Sequence, residues 1–258
     1  MILNKRVCIV VPIYKKKMDK YDRLCIDRIQ KKLSCYDIYF ITYSKLCLNE
    51  YKVFHNIHIV FFPKIFFKNT LTYSRLLLKK AFYKRFLAYE YMLIVQTDAL
   101  VLGEADQLEL FMDKNFDYWG ARWPEPVEIC SFEVEKNLKR KLNRVIPPCF
   151  KKYLFKNPKF CYVGNGGFSL RNIRKTIALL NEKKKYAYLW LDNEDKFFAY
   201  HGLDNHVNYR IASAEMADNF SLESNIKQSL VEMKPFGVHA WRRKGRFQVI
   251  NYLKENNT

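Results

Sequence analysis

Apolar residues along this chain fall into two kinds of run. Residues 7–13, 37–43, 57–62 and 91–95 are short, nearly unbroken and rich in β-branched or aromatic side chains. Runs without polar alternation are what strands buried on both faces require, so they predict a mostly parallel sheet. The stretches between them carry a longer period. Residues 18–33 place Tyr21, Leu24, Cys25, Ile29 and Leu33 on roughly helical spacing. Residues 70–87 place Ser74, Leu77, Leu78, Ala81, Phe82 and Phe86 on one face, which predicts one strong helix. Alternating strand and helix is the pattern of an α/β fold.

Past Asp98 the pattern changes. Residues 106–112 predict a short helix, 116–121 a strand, and 161–170 a strand broken by glycine. Helices are expected over 172–181 and from 192 to 200. An apolar-aromatic tail, 235–241, precedes the basic run 242–246. Residues 125–159 are basic and irregular and contain Pro126, Pro147, Pro148 and Pro158, so they read as an insertion or mobile loop. No period of solenoid length is visible.

Composition narrows the class. With 258 residues, 49% hydrophobic, the chain can bury a real core. Only 8 Gly and 8 Pro exclude collagen-like and low-complexity readings. The 7 Cys are widely spaced, with no zinc-knuckle or redox pair, and read as small hydrophobes in a reducing, cytosolic compartment. No stretch approaches the ~20 apolar residues that span a bilayer, and the N-terminus lacks a cleavage site. The net charge of +19 speaks to partners: nucleic acid, an anionic membrane surface, or a polyanionic small substrate. Clusters such as 15–17, 139–141 and 183–185 are spread along the chain with no recognisable nucleic-acid module, which counts against nucleic acid.

Four segments carry candidate chemistry. Gln96-Thr97-Asp98 lies just past a buried strand, where open α/β sheets bind ligands. Asp98 there either caps the next turn or holds a divalent metal through oxygen. Gly164-Asn165-Gly166-Gly167-Phe168-Ser169-Leu170-Arg171 lets backbone approach a ligand closely or take positive φ. It has neither the P-loop ending nor the dinucleotide fingerprint. Asn193-Glu194-Asp195 puts acids at a helix start, suited to the macrodipole or to a general base. His239, within Pro235-Phe236-Gly237-Val238-His239-Ala240-Trp241, is either a core histidine or a partner of Asp98.

Taken in order, these segments resemble the DUF5672 family, which looks like GT-A-type glycosyltransferases. The resemblance runs from about Thr70 to Trp241. It implies a single GT-A-like, Rossmann-like domain: a central mostly parallel mixed sheet flanked by helices. Residues 1–100 would form the nucleotide-binding half and 101–258 the acceptor-binding and catalytic half. Gln96-Thr97-Asp98 stands where such enzymes carry Asp-x-Asp, with Gln96 replacing the first acid. The resemblance implies Mn²⁺ or Mg²⁺ on Asp98 and His239, completed by the donor's diphosphate and water. It places the donor against Pro12, Ile13, Tyr14, Gln96, Thr97, Asp98, Gly166 and Gly167. Tyr14 either stacks on the base or is a surface tyrosine. Asp195 is preferred as base and Glu194 as a sugar-hydroxyl acceptor, with exchanged roles open; Lys196 would lower the base's pKa. Trp123, Asn165 and Trp241 would meet the acceptor. The implied reaction is inverting transfer from a UDP-hexose to a lipopolysaccharide or capsule glycan. It would run on the inner face of the cytoplasmic membrane, with the excess charge holding the enzyme to anionic lipid.

Overall fold

The computed structural model describes residues 5–129, 158–190 and 192–256. Its main sheet has six strands in the order β3-β2-β1-β4-β9-β6. Strands β1 (Lys5–Pro12), β2 (Asp37–Thr42), β3 (Ile57–Phe61) and β4 (Tyr89–Val95) are parallel. Strand β9 (Phe168–Asn172) returns antiparallel between β4 and β6 (Tyr118–Trp119). The sheet therefore joins strands from both halves of the chain.

The unbroken apolar runs are explained by two cores. In β1, Val7, Ile9 and Val11 point into one cluster and Cys8 and Val10 into the other. Both faces are covered, so neither can carry polar side chains. Helices α1 (Lys20–Lys32) and α4 (Ala105–Asp113) cover one face, with Ile26, Ile29, Leu108 and Met112 in its core. On the other lie α2 (Thr70–Leu77), α3 (Lys80–Lys84), α5 (Ile173–Glu182), α6 (Lys184–Leu189) and α7 (Glu194–His201).

Helix starts follow their caps. Asp19 forms a capping box with Asp22 at α1, and Asn69 one with Thr72 at α2. The helix expected over 70–87 is two helices. Lys79 is extended, at φ −100° and ψ 124°, and the chain turns there. The turn places the Tyr83 hydroxyl 2.9 Å from the Leu77 carbonyl, satisfying one of the orphaned acceptors at the end of α2.

Two other expectations change. The glycine-broken strand is two strands in different sheets, β8 (Lys159–Val163) and β9. The segment 125–159 is not irregular at its ends: β7 (Arg122–Ile129) pairs antiparallel with β8. Residues 130–157, the rest of the expected insertion, lie outside the described residues.

A three-stranded sheet, β10 (Ser221–Leu222), β11 (Gly237–Val238) and β5 (Leu100–Val101), closes the carboxyl end of β4. Around it lie α8 (Ala214–Phe220), α9 (Ile226–Met233), α10 (Trp241–Lys244) and α11 (Arg246–Asn256). The five cysteines among the described residues are unpaired. No helix among the described residues is long and apolar enough to cross a membrane.

Candidate active site

The carboxyl ends of β1 and β4 open into a cavity of about 190 Å³ lined by Pro12, Tyr14, Asn69, Tyr73 and Gln96, among others. Tyr14 is half exposed at its mouth. Ile13 does not share this space. Its side chain is buried in the core and its N–H donates to the Ile41 carbonyl at 2.9 Å, because the sheet is still pairing there.

Past β4 the chain turns over Gln96, Thr97 and Asp98, closed by Ala99 N–H to the Gln96 carbonyl at 2.9 Å. The Thr97 side chain is buried, and its carbonyl accepts from Arg242 Nη2 at 2.5 Å. Arg242 also reaches Asp19 at 3.0 Å and the fully buried Asp22 at 2.8 Å. It braces the Asp98 turn against the start of α1. Inside a basic run nothing local distinguishes it from a solvated lysine or arginine, so the sequence reading missed it.

The Asp98 side chain faces His239, with Oδ1 3.4 Å from Nε2. On the other side of the ring, Nδ1 lies 3.8 Å from Glu223 Oε1. Both ring nitrogens are shut off from solvent and neither makes a hydrogen bond. Burial alone would push the imidazole down, but Asp98 and Glu223 outweigh it and bring His239 to about 9. His239 holds Asp98 below its ordinary value despite burial, and Glu223 falls to about 2 with help from Lys244. Without a metal the imidazolium is the cation between these two carboxylates. Asp98 and His239 would fit as ligands for a divalent ion that takes the place of the Nε2 proton, since Nε2 is buried and has no hydrogen bond of its own. Among the described residues no group of three or more His, Cys, Asp or Glu is set to hold a metal, so most ligand positions would fall to the donor and water. Ala240, next to His239, sits in the left-handed region at φ 52°, a strained conformation for a side chain with Cβ.

The glycine-rich loop comes up beside this pair. Its glycines serve close approach, since none has positive φ. A methyl on Gly167 would run into His239 Nε2 and lie 2.9 Å from Gln96 Oε1; one on Gly166 would strike the Glu194 carboxylate. The left-handed residue is Asn165, at φ 67°. Its N–H donates to Asp195 Oδ2 at 3.0 Å, its Nδ2 to Glu223 Oε2 at 3.0 Å, and its Oδ1 accepts from Gly167 N–H at 3.1 Å. Asn165 is buried and its side chain is committed to this link, so it organises the carboxylates where an acceptor contact was expected.

The two acids at the start of α7 have different surroundings. Glu194 is buried and both its oxygens are engaged, by Arg171 Nη2 at 2.9 Å and Ser74 Oγ at 2.6 Å. Arg171 is fully buried, bonds Tyr83 at 2.8 Å and lies beside the stacked Tyr118 and Phe198 rings. Glu194 thus anchors α7 to β9 and α2. Asp195 accepts only backbone N–H groups, from Asn165 at 3.0 Å and Lys196 at 2.8 Å. Burial, then the nearby Glu194 charge, raise its carboxyl to about 6. Lys196 lowers it through its backbone N–H and not through the charge expected to act, since its ammonium is paired with Asp192 at 2.6 Å.

Beyond Glu223 lies a polar cavity of about 250 Å³, lined by Trp123, Asp218, Ser221, Glu223, Ser224 and Ser229, among others. Trp241 does not reach it. That indole is fully buried and packs edge-on against Tyr21 at 5.4 Å.

A family profile described as "Protein of unknown function (DUF5672)" matches residues 56–239. No curated protein sequence matches the chain. Among solved structures, mouse xyloside xylosyltransferase 1 superposes with a TM-score of 0.51 at 10% identity, covering 91% of this chain and 96% of that one. Core-mannan synthase A from Aspergillus fumigatus, solved in its Mn/GDP form, gives 0.50 at 9% identity, covering 81% and 72%. The fold is that of GT-A glycosyltransferases.

Proposed function

Since the chain belongs to the DUF5672 family and has a glycosyltransferase fold, we propose that it transfers a sugar from a nucleotide-sugar donor to a glycan. The observation that carries this reading is a chain of contacts between two cavities. Gln96 lines the first, Gly167 packs against Gln96 and His239, His239 lies between Asp98 and Glu223, and Glu223 lines the second beside Trp123. The donor's base is assigned to the first cavity, with UDP-hexose as the favoured donor. Gly167 lets the glycine loop pack directly against His239 and Gln96, beside the assigned metal ligands. Mn²⁺ or Mg²⁺, held by Asp98 and His239, would offset the charge that develops on the leaving diphosphate.

Asp195 is assigned as the base. It takes the proton from an acceptor hydroxyl, and that oxygen attacks the anomeric carbon opposite the leaving group, so configuration inverts. A carboxylate titrating near 6 is ionised at neutral pH yet basic enough to help. Trp123, with the serines and acids around it, suits a sugar: a flat apolar platform among hydroxyl partners. The acceptor is proposed as a lipopolysaccharide or capsule glycan on the inner face of the cytoplasmic membrane. Incubation with UDP-, GDP- and CMP-sugars plus Mn²⁺ tests the reading. Turnover or tight binding of one donor is expected; neither with any donor would overturn it.

A further inference from the structure

Away from the cleft, α3 packs against α5, and α2–α3 and α5–α6 together line an open groove of about 680 Å³. Its apolar lining is Leu78, Ala81, Leu180, Ala187 and Leu189, with Tyr188 beside it at 79% exposure. Its cations are Arg75, Lys79, Lys80, Lys184 and Lys185, and no acid lines it. Some surface cations meet carboxylates, as in Lys5–Asp37, Arg6–Glu109 and Lys244–Glu223. Among the described residues these five form no ion pair, and they are gathered around one apolar floor. Arg75 reaches the Tyr188 carbonyl, Lys80 reaches Asn181, and Lys79 lies over the Phe66 ring.

We propose that this groove seats anionic phospholipid, so that the face formed by α2–α3 and α5–α6 rests on a negatively charged bilayer. Apolar floor, uncompensated cationic rim and a protruding tyrosine match the boundary between lipid headgroups and acyl chains. Nucleic acid is disfavoured because the floor offers no hydrogen-bonding groups and only one exposed ring. The position suits a lipid-linked acceptor. The same helix α2 supplies Thr70 and Tyr73 to the donor cavity and Ser74 to Glu194, so the bilayer would lie one helix away from the chemistry. The inference rests on the transferase reading for its purpose only; docking is measured without turnover.

Flotation of the full chain with vesicles tests it. Binding is expected to phosphatidylcholine vesicles containing phosphatidylglycerol, not to phosphatidylcholine alone, with release by about 0.5 M salt. The double variant Lys184→Glu/Lys185→Glu should weaken binding about tenfold or more, and Leu189→Ser should weaken it at unchanged charge. The control Lys45→Glu/Lys52→Glu should stay within about twofold of the unaltered chain. No binding to anionic vesicles, or equal loss in the control pair, overturns the proposal. So does binding of polyglutamate or RNA through Lys184 and Lys185 without vesicle binding. Vesicle binding with no donor turnover leaves the docking face standing and overturns only the transferase reading.

Discussion

His239 Nε2 and Asp98 Oδ1 stand 3.4 Å apart because β11 pairs antiparallel with β5, setting Val238 opposite Leu100. The register fixes the pair, and Arg242 holds the turn on the Asp98 side. If both residues hold the metal, Asp98→Asn and His239→Ala should each cut donor turnover by about 100-fold or more. Titration with Mn²⁺ should show weakened metal dependence while far-ultraviolet circular dichroism stays unchanged. Full activity of both variants in the presence of a chelator would remove the metal role.

Asp195 should control the acid limb of the pH profile. With the carboxyl raised to about 6, kcat/KM should fall about tenfold per pH unit below that point. Asp195→Asn should be inactive throughout.

The same shift has a stability counterpart of opposite sense. A folded-state value above the unfolded one means the native state holds the proton more tightly, so stability is lost as pH rises from about 4 to about 6. Asp195→Asn should therefore be more stable at pH 7 by about 1–2 kcal/mol, with the gain vanishing near pH 4. Thermal melts across that window check it.

Arg171 and Glu194 form a buried ion pair, so removing one partner strands the other. Arg171→Met should lower stability by about 3–5 kcal/mol. Glu194→Gln, which keeps two polar contacts, should cost less. Denaturant melts distinguish them; a loss of activity without a loss of stability in Arg171→Met would place Arg171 in the chemistry instead.

Gly167→Ala should separate site from fold. The added methyl runs into His239 and Gln96, beside the assigned metal ligands. Donor turnover should drop about tenfold or more while the melting temperature moves by only a few degrees. A small effect on both would show that this packing does not matter to donor turnover.

Much of the fold was legible because β1, β2 and β4 pack into both cores and so have no polar alternation, while the edge strand β3 keeps its apolar run although Ile59 and Phe61 are half exposed. The two-residue strands β5, β10 and β11 were not, since pairs such as Leu100–Val101 carry no period. The split of 70–87 escaped because Leu78 and Lys79 are ordinary helix residues, and the contacts Tyr83 makes after the break, with Leu77 and Arg171, appear only in the folded chain. In the site, local motifs flagged Asp98, His239, Glu194 and Asp195. Glu223 was missed: it stands alone after a short strand, and only the folded chain brings it to Asn165 and His239. Trp241 misled because an aromatic beside a candidate ligand looks the same in sequence whether buried or exposed.

The late arrival of β9 also sets an order in time. Residues 5–95 contain four adjacent parallel strands and their helices, while the neighbour of β4 on its other edge is not synthesised until 168–172. Until then Tyr89–Val95 is an apolar edge with nothing to pair with, a template for another nascent chain. A chain cut before Phe168 would keep most of the cavity at Pro12 and Tyr14 but expose that edge, so it should aggregate on synthesis. The strand that delivers the glycine loop and Arg171 to the site is thus also the one that covers the open edge of β4.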